Sequence, residues 1–228
     1  MLPIQVGSAV VFGATGLIGR HLIEELRGPD VRITTAGRRP PDLPAGVPPL
    51  PFHPVDFDEW VEDPSIGASL FEGVDAVFIA LGTTMRRAGS REAFRRVDLH
   101  YVLAAARAAR LAGAPQLLAV SSLGASTGAR TFYLQVKGEA EEALQALGFP
   151  SLTLARPSLL LGDREESRPM EVASGVALRL LGPALRGPFT RYRPIEARTV
   201  ARALVRAAAD PATGTAILES HHLEKLGV

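Results

Sequence analysis

The stretch Ala9-Val-Val-Phe-Gly13-Ala-Thr-Gly16-Leu-Ile-Gly19-Arg-His-Leu-Ile-Glu-Glu-Leu26 decides the fold. Apolar residues at successive positions from Ala9 to Phe12 read as a strand covered on both faces, and the run after Gly19 reads as an amphipathic helix. Between them, Gly13 permits a tight turn, Gly16 lets backbone amides approach a pyrophosphate, and Gly19 lets the helix pack against the strand. Thr15, Gly16, Leu17 and Ile18 are then expected to contact the cofactor, where the turn meets a helix whose free N–H groups and positive dipole end face an anion. A glycine triplet alone carries little weight. Between a strand and a helix it reads as a phosphate cradle rather than a structural turn.

Outward from this unit, short apolar runs at Val31–Ala36, Leu50–Val55, Ala76–Ala80, Leu117–Val120, Leu152–Ala155 and Thr215–Leu218 alternate with helical patterns. The helices are expected near Leu17–Arg27, Ile66–Glu72, Ser90–Ala112, Phe132–Leu147 and Thr199–Ala209. Such alternation predicts an α/β fold, a doubly wound and mostly parallel sheet with helices on both sides. Ligands of these sheets bind beyond the carboxyl ends of the strands. No linker divides the chain, so residues 1–228 are read as one domain. The segment Ser158–Tyr192 breaks the alternation and is expected to form a small substrate lid near the C-terminus.

The composition narrows the chemistry. With 25 Lys+Arg against 24 Asp+Glu in 228 residues, the net charge of +1 supplies no overall field for a nucleic acid or an anionic membrane. No apolar run reaches the length of a membrane span, and the N-terminus carries no positive n-region. Zero cysteines remove disulfides, thiolate zinc sites and a cysteine nucleophile, and fit a reducing compartment. A cytoplasmic protein is expected. The five histidines show no metal spacing, so no metal site is expected.

The second strand is expected to end where an adenosine ribose would lie. An NAD site places an acid there, whereas this chain runs into Arg38-Arg39, two guanidinium groups suited to a 2′-phosphate, and NADP is preferred. The bland alternative is that they solvate a turn. Asp56 and Phe57, after the third strand, are placed at the adenine, and Ala80-Leu81-Gly82-Thr83, after the fourth, bring a glycine against the cofactor.

Tyr133 and Lys137 open a long helix four residues apart, so phenol and ammonium share one face. A phenol with an ordinary pKa near ~10 is a poor acid at neutral pH, and a lysine cation beside it favours the phenolate. Ser121-Ser122 ends the fifth strand, where a hydroxyl can hold a carbonyl oxygen. Successive strand residues face opposite ways. Ser122 is preferred for that role and Ser121 is the runner-up.

Glycine triplet, strand-end serine and Tyr-x-x-x-Lys together resemble the short-chain dehydrogenase/reductases, in the spacing of their extended and atypical branches. Longer strings resemble the Tat-interacting-protein-like atypical members: Leu81-Gly-Thr-Thr84, Val97-Asp98 with Tyr101-Val-Leu103, Ser121-Ser122 with Gly124-Ala125, Tyr133-Leu-Gln-Val-Lys-Gly-Glu139, and Arg156-Pro157 with Asp163-Arg164 and Glu166-Ser-Arg-Pro169. The resemblance spans Val10 to Gly227. It implies a Rossmann fold, NADPH as cofactor, oxidoreductase activity, and cofactor contacts at Ser121, Tyr133, Lys137, Arg156 and Pro157. Human members are described as regulators of transport and transcription, which keeps a protein partner and a non-enzymatic reading open. Extended relatives usually carry Asn on the fourth helix, holding a water that relays protons to the lysine. Here Asp98 stands there.

Three functions follow from these readings. The leading one is an NADPH-dependent reductase of a small-molecule carbonyl, with Ser122, Tyr133 and Lys137 as catalytic residues. The second is an NADPH-binding regulator with little turnover. The third, a nucleotide-sugar epimerase or dehydratase, needs more substrate domain than the ~35 residues of the lid segment supply. Arg86, Arg87, Arg91, Arg95 and Arg96, five positive charges in eleven residues, read as a solvated face, or else as a rim that attracts an acidic ligand. Oligomeric state is not legible.

Overall fold

A computed structural model describes residues 6–44, 46–162 and 191–228. Its strands are β1 (Ser8–Phe12), β2 (Arg32–Gly37), β3 (Phe52–Pro54), β4 (Ala76–Ile79), β5 (Gln116–Val120), β6 (Ser151–Arg156), β7 (Leu160–Leu161), β8 (Ile195–Glu196) and β9 (Gly214–Glu219). Seven of them form one sheet in the order β3-β2-β1-β4-β5-β6-β9, every pair parallel. The expected doubly wound α/β architecture is thus the one observed. β1, β4 and β5 are apolar at nearly every position because both sheet faces are covered, and β6 buries Ser151 and Thr153 between its apolar residues.

The strand period sorts the core into two halves. Val10 and Phe12 of β1, with Val77 and Ile79 of β4, face one side, where they meet Trp60 of α2 (Phe57–Glu62), Phe71 of a 3-10 helix (Pro64–Phe71) and the later helices α5 (Val102–Leu111) and α6 (Phe132–Ala146). Ala9, Val11 and Phe78 face the other, against α1 (Leu17–Leu26) and α7 (Ala197–Ala209). The C-terminal helix α8 (Ser220–Gly227) adds Leu223 to that second half.

Topology then places the site. The chain works outward through β1, β2 and β3 and returns to lay β4 on the other flank of β1, so the strand order reverses between β1 and β4. Loops leaving those two strands open a crevice at this switch point. They lie in close contact: a Cβ on Gly13 would stand 2.4 Å from the Ala80 carbonyl oxygen.

The helix expected over Ser90–Ala112 is resolved into three parts, and a short α3 (Met85–Ala88) precedes it, ended by Gly89 at φ 78. Ser90 caps α4 (Arg91–Arg95) by accepting from the Ala93 N–H, and a π-helical turn, Arg96–Tyr101, links α4 to α5. The lid expected over Ser158–Tyr192 lies outside the described residues from 163 to 190. Its flanks are joined where Ile195 N–H donates to Leu159 O at 2.9 Å and β7 pairs with β8.

Candidate active site

The three cradle glycines have different duties. Gly13 sits at φ +78, and a Cβ on Gly19 would fall 2.0 Å from the Gly13 carbonyl oxygen, so both are needed for the turn and for seating α1. Gly16 keeps an ordinary φ of −83, and a Cβ there would meet nothing closer than Gly13 O at 3.2 Å. What Gly16 leaves bare is the mouth of α1. Among the described residues no side chain caps this helix N-terminus, which suits an anion seated on its amides. Thr15 is exposed at the mouth and Leu17 half-buried, whereas Ile18 is buried in the core. Ile18 can therefore reach a phosphate only through its N–H.

Arg38 and Arg39 emerge exposed directly after β2, and neither pairs with a carboxylate among the described residues. Asp56, expected at the adenine, has a local duty first: its Oδ1 accepts from the Asp58 and Glu59 N–H groups and caps α2. Phe57 turns inward, stacked on Tyr101 with ring centroids 4.9 Å apart, and closes an aromatic cluster with Phe12, Trp60 and Phe71. Only its backbone remains for a ligand.

Tyr133 and Lys137 lie one turn apart on α6, as their spacing predicts. Thr131 caps the helix, and a Cβ on Gly138 would overlap the Ser126 carbonyl carbon at 2.2 Å, so α6 is pressed against the loop that follows Ser121 and Ser122. Ser126 N–H donates to Leu134 O at 3.2 Å across that contact. The Tyr133 phenol is 37% exposed with its ring 5.7 Å from Phe94, while Lys137 is buried. The two serines diverge as the pleat requires: Ser122 is half-exposed, and the buried Ser121 Oγ has no hydrogen-bond partner among the described residues.

Lys137 is not a free cation. Its Nζ stands 2.8 Å from Asp98 Oδ1, and Asp98 Oδ2 accepts from the Thr83 N–H at 2.8 Å. Burial, the largest influence, pushes the ammonium down, but Asp98, Tyr133 and Glu141 outweigh it and hold it above the usual lysine range. Gly82 borders this pair, with Asp98 Oδ1 3.4 Å from where its Cβ would lie. One turn further along α6, buried Glu141 takes a two-pronged ion pair from Arg156, with Arg156 Nε 2.9 Å from Glu141 Oε1. Arg156, expected at the cofactor, has its guanidinium committed to this pair, and Pro157 is buried with its carbonyl accepting from the Leu123 N–H. A cavity of ≈ 10 Å³ beside these groups is lined by Asp98, Ser121, Lys137 and Glu141 among apolar neighbours.

Asp98 and Glu141 are the two site neighbours whose duties sequence reasoning missed. Glu141 had a signal, being four residues beyond Lys137 on the same face. The basic cluster is mostly spoken for. Arg95 pairs with Glu139, Arg96 with Asp58, and Arg91 covers the Phe132 ring at 5.0 Å. Among the described residues there is no group of three metal ligands and no helix long and apolar enough to cross a membrane.

Comparison with known proteins agrees with this fold. A family model described as NAD(P)H-binding matches residues 13–211. HTATIP2 of Rattus norvegicus is 34% identical over 98% of this chain and 90% of its own length. The protein named FMP52-1, mitochondrial, of Scheffersomyces stipitis is 36% identical over 71% of this chain and 70% of its own length. Among solved structures, MoeE5 in complex with UDP-glucose and NAD superposes with TM-score 0.67 and 23% identity, over 93% of this chain and 75% of that one. A likeness at that identity establishes the Rossmann fold.

Proposed function

The chain belongs to the NAD(P)H-binding family, alongside Tat-interacting-protein-like relatives of the atypical short-chain dehydrogenase/reductase kind, and from that premise we propose that it is an NADPH-dependent reductase of a small-molecule carbonyl. The observation that carries the reading is the placement of one helix turn. Lys137 is pinned beside Gly82 at the switch-point crevice, and one turn away Tyr133 is exposed.

The crevice has the features an NAD(P)H would need: a bare glycine at the mouth of α1, a second glycine across the gap, and two exposed arginines beyond β2 that pair with no carboxylate among the described residues. Leu17, Ile18 and Gly19 would meet the pyrophosphate through their amides, and Arg38 and Arg39 would bracket a 2′-phosphate, which is the basis for preferring NADPH. When bound, the cofactor supplies a hydride to the carbonyl carbon. The chain's own residues handle the oxygen. Ser122 donates a hydrogen bond that orients it, Tyr133 delivers the proton as charge develops there, and Lys137 donates to the cofactor ribose while holding the phenol in place. The cytoplasmic setting belongs to this proposal and rests on the cysteine-free composition.

Isotope transfer tests the reading. NADPH carrying deuterium at C4 is incubated with the protein and a panel of aldehydes, ketones and quinones, and the products are analysed by mass spectrometry. Deuterium at the carbinol carbon of an alcohol product, or for a quinone the stoichiometric oxidation of NADPH with hydroquinone formation, faster with NADPH than with NADH, is the expected result. Tight NADPH binding with only trace transfer across the panel would return the protein to the regulatory reading.

A further inference from the structure

The Lys137–Asp98 contact differs in kind from the surface ion pairs of this protein. Both side chains are almost fully enclosed, Lys137 at 7% and Asp98 at 1% exposure. Two charges withdrawn from water persist only when each finds a partner and the remaining lone pairs are satisfied. Asp98 meets that condition with two separate partners, the ammonium at Oδ1 and the Thr83 amide at Oδ2, each at 2.8 Å.

The backbone goes out of its way to put Asp98 there. Arg96–Tyr101 forms a π-helical turn between two α-helical segments, a widening that is rare and recurs at functional sites. Both ends of the turn are tied to α2, where Arg96 Nε at 2.7 Å and the Tyr101 hydroxyl at 2.9 Å both donate to Asp58 Oδ1. With the ends held, Asp98 lies buried between α6 and the loop after β4. The groups facing Lys137 are then Asp98 from the π turn, Tyr133 and Glu141 from its own helix, and Ser121 from the end of β5. Glu141 is already committed to Arg156. Among the described residues Asp98 is the carboxylate paired with Lys137.

We propose that Asp98 is a positioning residue of this site: its carboxylate clamps the Lys137 ammonium to the cofactor-facing Leu81–Thr84 loop, so that lysine and loop are held as one unit. This deepens the reductase reading and rests on it for the role of Lys137. Direct pairing has a chemical consequence. With a carboxylate 2.8 Å away, the field of the ammonium at the phenol is largely cancelled. Lys137 then serves Tyr133 and the ribose as a fixed hydrogen-bond donor more than as a bare positive charge.

The chain contains only two lysines, Lys137 and Lys225, so their titration can be read without crowding. The protein is prepared with 13C at the lysine ε-carbon, and both resonances are followed against pH, without cofactor, in wild type and in Asp98→Asn. Asparagine keeps an acceptor for the Thr83 amide and removes the charge. In wild type, Lys137 is expected to titrate above the ordinary lysine range. In Asp98→Asn its midpoint is expected to fall by about one unit or more, because burial is no longer opposed by the paired carboxylate. An unmoved midpoint in the variant overturns the assignment, and so does a wild-type midpoint within the ordinary range, which decides the matter even if the variant fails to fold. In parallel, kcat for carbonyl reduction in Asp98→Asn should lose about tenfold or more, with its alkaline limb moved to lower pH by the same interval as the NMR midpoint. Should carbonyl reduction fail altogether while the Lys137 midpoint moves as stated, the reductase reading falls and the clamp stands. The reverse outcome removes the clamp alone.

Discussion

Replacing the cradle glycines one at a time separates what the fold needs from what the ligand needs. At Gly13 a methyl would lie 2.4 Å from Ala80 O and 2.6 Å from Ala80 C, on a backbone at φ +78. The left-handed conformation costs an alanine about 1–2 kcal/mol, and forcing two backbone segments apart adds about 1–3 kcal/mol, so Gly13→Ala should lose about 3 kcal/mol. For a chain of this size that is a fall in Tm of about 6–12 °C. At Gly16 the backbone is ordinary and the nearest atom is 3.2 Å away, so even Gly16→Val should lose only about 1 kcal/mol, about 2–4 °C. Yet the Gly16 side chain would project where the amides of α1 are bare, and NADPH binding should disappear. Calorimetric titration with NADPH, paired with thermal melts, reads both quantities. Normal NADPH affinity in Gly16→Val would place the phosphate site elsewhere, and a Gly13→Ala protein as stable as wild type would refute the steric argument.

Other consequences are open to simple assays. If Arg38 and Arg39 bracket a 2′-phosphate, NADPH should bind at least tenfold more tightly than NADH, about 1.4 kcal/mol, and Arg38→Ala should erase most of that difference by calorimetry. Glu141→Gln strands the Arg156 guanidinium beside an amide and should cost about 3 kcal/mol in urea denaturation, whereas Glu142→Gln on the exposed face should cost little. The Lys137 ammonium is held above its unfolded value, so its contribution to stability is complete below the ordinary lysine pKa near ~10.4 and fades as pH rises through the folded value. Urea midpoints compared at neutral pH and above that range should show the alkaline loss in wild type and a smaller one in Lys137→Met.

Much of this molecule was legible because period and punctuation act locally. Apolar runs such as Ala76–Ala80 and Leu152–Ala155 differ by only a residue or so from the observed β4 and β6, since burial on both faces keeps such strands apolar apart from a small hydroxyl residue such as Thr153. The Gly13–Gly19 turn and the Tyr133–Lys137 pairing came through for a similar reason, each being set by neighbours a few residues away. Asp56 reads as a ligand group although the Asp56-x-x-Glu59 spacing is itself a helix-start signal, and the structure shows it capping α2. What failed to show was the work of contacts distant in sequence. Ser90–Ala112 reads as one helix because a π turn leaves the apolar pattern nearly intact. That turn carries Asp98 to Lys137, a partner 39 positions away that no periodicity reveals. Arg156, at a strand end among expected cofactor contacts, is likewise redirected by Glu141 on another element.

Tyr133 is where the reductase reading stands or falls. Tyr133→Phe removes one hydroxyl from a 37% exposed ring while leaving its contact with Phe94 and the Asp98–Lys137 pair in place, so NADPH affinity and Tm should stay at wild-type values. The decisive measurement is the single-turnover decay of NADPH absorbance when the protein–NADPH complex meets a carbonyl that wild type reduces. Loss of the proton donor predicts a decay slower by ~10² or more in Tyr133→Phe. Decay rates that match in the two proteins would contradict the assignment of Tyr133 as the acid and, with it, the mechanism proposed for this site.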